Sequence, residues 1–252
     1  MRRFIISLIA FLFVAFAFGQ QRKKQDYDPE ISKYSLGLSA AFQIPGGDLA
    51  SRFGWNSNLG GYLSFKNKKN FLFSLEGSFL FGNILHESGI LNSISTSSGN
   101  VIGVDGRFAD IRFYERGYTL NASFGKLFPL SPKQGSGFFV KAGPGFLEHK
   151  IRIEVIGNTV PALSGEYQKG YDRLTNGFAF QESIGFLYLS NSRLINFFLC
   201  AESVQAFTKN RRIFNFDTIE KDNSSRVDML YGLRAGWIIL FYKRKPAEYY
   251  YN

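Results

Sequence analysis

Two histidines of this 252-residue chain stand beside glutamates, His86 before Glu87 and His149 after Glu148, and either pair could move protons. A serine within reach of one of them would make a nucleophile for acyl transfer, for which Ser88 and Ser164 are available. An aspartate sharing a water with a histidine would suit peptide hydrolysis, for which Asp105 and Asp110 are available. None of these residues stands in a recognisable catalytic motif, and both histidines read as loop residues, so no catalytic site is expected. His, Cys and carboxylates fall at no ligand spacing, so neither a metal nor a cofactor is expected. A second set of charges, Glu76, Lys141, Glu202 and Arg234, interrupts patterned runs. If those runs enclose an interior, isolated ions there would be costly and mutual pairing is the expected solution.

The runs that carry these four charges alternate with period two, the signature of strands. Tyr34–Gln43 places Tyr34, Leu36, Leu38, Ala40 and Phe42 on one face and small or polar residues on the other. The same alternation recurs over Asn58–Lys66, Phe71–Gly82, Tyr118–Phe128, Phe138–Phe146 with an extension toward Val155, Gly177–Leu189, Leu194–Phe207 and Val227–Tyr242. Pro144 predicts a kink or bulge in the fifth run. Large apolar side chains share one face, with Gly, Ser and the four charges on the other. The expectation is all-β, an eight-stranded antiparallel up-and-down transmembrane β-barrel with its apolar face turned to lipid and Glu76, Lys141, Glu202 and Arg234 inside. Glu182 falls on the outward face of the sixth run and calls for a bulge or a place near the membrane interface.

The connections sort into two kinds. Those after runs two, four and six are short, and those after runs one, three, five and seven are long, spanning 44–57, 83–117, 156–176 and 208–226. A barrel with both ends in the periplasm has this order, with long loops facing outward. Arg2 and Arg3 followed by the apolar run Phe4–Phe18 read as a secretory signal peptide over 1–19, with cleavage after Gly19. A lead over 20–33, the barrel over 34–242 and a tail over 243–252 complete the expected organisation. Cys200 is the single cysteine, so no internal disulfide can form. Aromatics at 17% and 26 glycines fit a strand protein.

With these strands and this last run, the chain resembles the small eight-stranded outer-membrane barrels of OmpA/OmpX type, and in its Phe- and Tyr-rich, basic style the outer-membrane β-barrel families of Bacteroidota. The run Arg234-Ala235-Gly236-Trp237-Ile238-Ile239-Leu240-Phe241 is similar to the signal such proteins offer to the barrel assembly machinery, with Arg234, Gly236, Ile239 and Phe241 at its marked positions. It departs from the family in that Lys243–Asn252 follow it. The resemblance implies an integral protein of the cell outer membrane.

The net charge of +10 is scattered, which argues against a nucleic-acid groove. Arg52, Arg107, Arg112, Arg116, Arg211 and Arg212 are expected on the outer side, where solvation or contact with lipopolysaccharide phosphates would use them. The functional expectation is a non-enzymatic outer-membrane protein whose loops, above all 83–117, meet a protein partner or the cell exterior. The alternative is a small barrel subunit of an outer-membrane assembly or secretion complex. A lipid-modifying enzyme stands third and requires Ser or Asp at hydrogen-bond distance from His86 or His149.

Overall fold

The computed structural model describes residues 33–130, 135–190 and 195–241. Eight strands follow one another: β1 (Lys33–Gly47), β2 (Asn56–Lys66), β3 (Phe71–Gly82), β4 (Asp110–Pro129), β5 (Gly137–Ile156), β6 (Thr175–Leu189), β7 (Asn196–Asn210) and β8 (Ser225–Phe241). Each pairs antiparallel with the next. β1 also pairs with β8, from Tyr34 opposite Phe241 to Gly47 opposite Asp228, which closes the ring. The eight-stranded up-and-down barrel that the alternation predicts is therefore the fold. The signal peptide, the lead apart from Lys33, and the tail lie outside the described residues.

Short connections gather at one end, here the turn end. Asn67–Asn70 forms the first of them: Asn70 takes a positive φ of 64°, and Asn67 accepts from Phe71 N through its side chain at 2.9 Å. Ser136 ties the second connection to β6, donating to Leu189 O and accepting from Leu189 N. The opposite, loop end carries one short helix, α1 (Asp48–Arg52), and the long connections.

The sequence boundaries need correction at the loop end. β4 begins well before the expected Tyr118, pairing as far as Asp110 opposite Ile156, while β5 follows the expected extension toward Val155, so the loop between β3 and β4 is shorter than 83–117. The cause is an inversion of the pattern without any slip of register. Along the middle of the barrel the two strands carry apolar residues outward and small or polar ones inward, with Leu127 and Phe139 joining the apolar interior nearer the turn end. Above Tyr118 they carry Arg112, Arg116, Lys150 and Arg152 outward and Ile111, Phe113, Ile151 and Ile153 inward. Pro144 makes no bulge either: β5 keeps one register with β6 throughout, and only Ala122 and Ser123 of β4 drop from the ladder opposite it, since proline has no N–H to donate.

The exterior is a belt of exposed apolar side chains, among them Leu36, Leu38, Leu63, Leu75, Leu120 and Leu233, with aromatics such as Tyr34, Phe73, Phe178, Phe207 and Trp237. The interior is packed in three levels. Toward the turn end Tyr62, Leu72, Leu127, Phe139, Phe198 and Ile238 form an apolar plug. Its void of about 60 Å3 has the volume of about two water molecules. Gly236 makes the plug fit: a Cβ there would stand 2.2 Å from the ring of Phe198. A polar level follows, and above it a second apolar level where Leu49 and Phe53, from α1 and the residue after it, fill the mouth against Leu80, Leu147, Ile151 and Leu230.

Candidate functional site

The middle level holds the four interior charges. Arg234 on β8 is 1% exposed and reaches across the lumen. Its Nε donates to Glu202 Oε2 at 2.6 Å, its Nη2 to Glu202 Oε1 at 3.1 Å, and its Nη1 lies 2.8 Å from Glu76 Oε1. Ser39 and Asn58 accept its remaining protons. Lys141 on β5 meets Glu76 Oε2 at 3.5 Å, and the amides of Gln43 and Gln181 donate to Glu202. Two carboxylates and two cations from β3, β5, β7 and β8 thus neutralise one another across the barrel. With apolar packing on either side, the arrangement is a lock across the lumen.

Above it, His149 Nε2 lies 2.9 Å from Asp228 Oδ2, which also accepts from Thr208 Oγ1 at 2.5 Å, and Phe53 packs edge-on against the imidazole. His149 is therefore a buried strand residue, and its reading as a loop histidine is corrected: it lies on the part of β5 that the sequence pattern left open. His86 is in a loop, with Nδ1 3.0 Å from Ala50 O. The nucleophile and acid candidates go elsewhere. Ser164 donates to Pro161 O, Asp105 accepts from Asn158, and Asp110 pairs with Arg112. Among the described residues no hydrogen bond joins Ser88, Ser164, Asp105 or Asp110 to either histidine.

A further cluster, for which the sequence gives no local signal, sits in the mouth and binds all four loops. Arg52 from α1 donates to Glu87 of the β3–β4 loop at 2.7 Å and to Thr175 at the start of β6. Arg173 of the β5–β6 loop, held at a positive φ of 51°, donates to the other Glu87 oxygen at 3.0 Å and to Asp217 of the β7–β8 loop at 2.5 Å. Arg212 pairs with Asp172. Arg52 and Arg212 are thus engaged within the chain, a correction to their expected outward role: each faces a loop carboxylate that the spacing in sequence does not bring near. Burial lowers the pKa of Arg52, against the raising effect of Glu87.

Apolar residues fasten the same loops, with Ile90, Leu91, Val101, Val160, Leu163 and Tyr171 packed on the inverted faces of β4 and β5. Phe216 caps Tyr171 edge-on at 5.5 Å. Near the base of the last loop, partial burial pushes the Asp222 carboxyl upward, but bonds from Ser224 and Arg226 outweigh it and hold it well below the usual carboxylate range. The resulting platform exposes apolar side chains at its tip, Ile213 at 86% and Ile219 at 70%, beside exposed Arg211.

The proposed assembly-signal residues each have a place in the fold. Arg234 and Gly236 face inward, in the ion lock and against Phe198, while Ile239 and Phe241 are exposed in the outer belt. Glu182 makes no bulge. β6 and β7 pair in one unbroken register through Glu182 opposite Ser203, and the residue lies mid-strand.

These features define the class: a small closed eight-stranded barrel with a packed interior and an apolar exterior, the architecture of small outer-membrane barrels. Solved structures similar to the chain include the N-terminal barrel of OprF from Pseudomonas aeruginosa, at 11% identity and TM-score 0.38 over 85% of this chain and 100% of that one. A major outer membrane protein from Thermus thermophilus is similar at 11% identity and TM-score 0.45, over 83% and 99%. The attachment invasion locus protein Ail of Yersinia pestis is similar at 10% identity and TM-score 0.37, over 82% and 97%. No family model matches the chain. No curated protein matches it either.

Proposed function

We propose that the chain is an integral outer-membrane protein that works as a rigid binding platform at the cell exterior, and is neither an enzyme nor a pore. One observation carries this reading: all four loops are bound through Arg52, Glu87, Arg173 and Asp217 into a single body above a filled lumen. Ordered loops that expose apolar tips suit recognition of a partner. The apolar belt suits hydrocarbon, which offers backbone groups no partner and so favours a closed ring. The turn end then faces the periplasm. Insertion would use β8, whose Gly236, Ile239 and Phe241 offer the barrel assembly machinery its signal.

Thiol labelling on intact cells tests the orientation and the exposed tip, because Cys200 is buried and silent. Ile213→Cys is expected to react with a membrane-impermeant maleimide at once, and Lys68→Cys only after the outer membrane is permeabilised. The reverse order sinks the proposal.

The outer wall above the belt adds a second expected contact. Arg112, Arg116, Lys150 and Arg152 share the outward face of the β4–β5 hairpin, with Arg116 opposite Lys150 and Tyr114 opposite Arg152. They begin one step above Tyr118, the height of lipid phosphates, and suit lipopolysaccharide better than the loop arginines. Replacing all four by glutamine is expected to weaken binding to lipopolysaccharide micelles at least tenfold and to flatten its salt dependence. Unchanged binding would leave the wall a solvated surface. The reading as a small barrel subunit of a larger outer-membrane assembly is favoured by one specific observation, the outward carboxylate of Glu182.

A further inference from the structure

Among the described residues two charged side chains interrupt the aromatic and apolar outer belt: Lys126 on β4, which lies over the rings of Phe71 and Phe128, and Glu182. Glu182 stands on β6 between Phe178 and Tyr188, exposed and outward. Four residues at ~3.3 Å each on a strand tilted by ~40° put it about 10 Å below Phe178, well inside hydrocarbon. Its register partners are Ala142 on β5 and Ser203 on β7. With Val140, Ile184 and Ala201 these small residues border an outward groove of about 430 Å3. The outward grooves of about 800 and 410 Å3 elsewhere on the wall are bordered by apolar side chains such as Leu38, Leu75, Leu120 and Phe73.

Two polar groups, Glu182 and Ser203, border that groove, and Gln205 follows two residues along β7. Among the described residues no hydrogen bond or ion pair reaches the Glu182 carboxylate, the Ser203 hydroxyl or the Gln205 amide. The inward carboxylates, by contrast, are matched to cations within a few ångströms. Hydrocarbon supplies neither a donor nor a counter-charge, so an outward carboxylate at this depth is matched only by a group from outside the chain. Small flanking residues let another backbone approach closely.

We infer that the β5–β7 face docks a second outer-membrane protein, one that presents a lysine or arginine at the depth of Glu182. This rests on the membrane placement proposed above. A second copy of the chain is a poor occupant, because a two-fold contact through this face sets Glu182 against Glu182. A partner cation satisfies the carboxylate and leaves Ser203 and Gln205 to bond its neighbouring polar groups. The inference thereby assigns the barrel a lateral partner in addition to anything its loops bind.

The test uses the full chain in the cells that make it, extracted with its lipids into styrene–maleic acid discs and resolved by native mass. The wild type is expected to travel with a different outer-membrane protein. Glu182→Lys is expected to lower that fraction at least tenfold, while Leu63→Ala on the opposite wall leaves it unchanged. Both variants should keep the heat-modifiable band of a folded barrel. A photo-reactive residue at position 203 should cross-link a partner segment containing Lys or Arg, and changing that residue to Glu should restore the complex with Glu182→Lys. Discs holding the barrel alone, discs holding only copies of it, or a complex indifferent to Glu182→Lys would overturn the inference while leaving the membrane placement intact. A chain absent from the outer-membrane fraction would overturn both.

Discussion

Replacing Arg234 by methionine is expected to destabilise the barrel by about 3 to 5 kcal/mol, because it leaves buried carboxylates without their counter-charge. The guanidinium touches Glu202 through two nitrogens and Glu76 through a third, and these contacts come from β3 and β7, on different sides of β8 around the ring. After its loss Lys141 is the cation left in that level, 3.5 Å from Glu76, and Glu202 keeps only the amides of Gln43 and Gln181. Urea unfolding in lipid vesicles, followed by tryptophan fluorescence, reads the loss. The triple variant Arg234→Met, Glu76→Gln, Glu202→Gln is expected to recover most of it, since neutral amides demand far less compensation than ions. A single variant within about 1 kcal/mol of the wild type would mean that packing, and not the lock, holds this level together.

The second large effect is expected from Arg173→Met. Arg173 spans Glu87 and Asp217, so its loss unties the β3–β4 loop from the β7–β8 loop, leaving Glu87 with Arg52 and Asp217 without its cation. Proteolysis within residues 83–109 and 211–224 is expected to accelerate about a hundredfold, equivalent to about 3 kcal/mol of local opening. The heat-modifiable band should persist, because the strands below keep their ladders and the ion lock. Cleavage at the wild-type rate would show that the apolar contacts around Ile90, Val101 and Leu163 suffice to hold the loops.

The barrel was legible where one physical rule acts along the whole strand. Tyr34–Gln43 and Met229–Phe241 alternate because one side meets apolar surroundings and the other a narrow lumen, and period-two reading recovers that. The rule changes sign above Tyr118. There the outer side meets water and the inner side meets folded loops, so Ile111, Phe113, Ile151 and Ile153 point inward. Alternation of the opposite sense was present in the sequence, and following it would have extended β4 and placed His149 firmly on β5. The cluster in the mouth had no comparable signal. Arg52, Glu87, Arg173 and Asp217 lie in four separate connections, and only closure of the ring brings those together. Alternation likewise places charges on a face without telling which carboxylate meets which cation.

Ring closure also orders events in time. β1 is made first and β8 last, yet they share a ladder of fourteen residue pairs from Tyr34 to Gly47, so the entropic cost of bringing distant ends together falls on the final step. That same step delivers Arg234 to Glu202 and Glu76. A chain stopped before Ser225 would keep two open edges and an acidic lumen short of its principal cation. The seam and the lock therefore act as a joint checkpoint on completeness: a full-length product gains both at once, and a fragment gains neither and stays exposed to degradation.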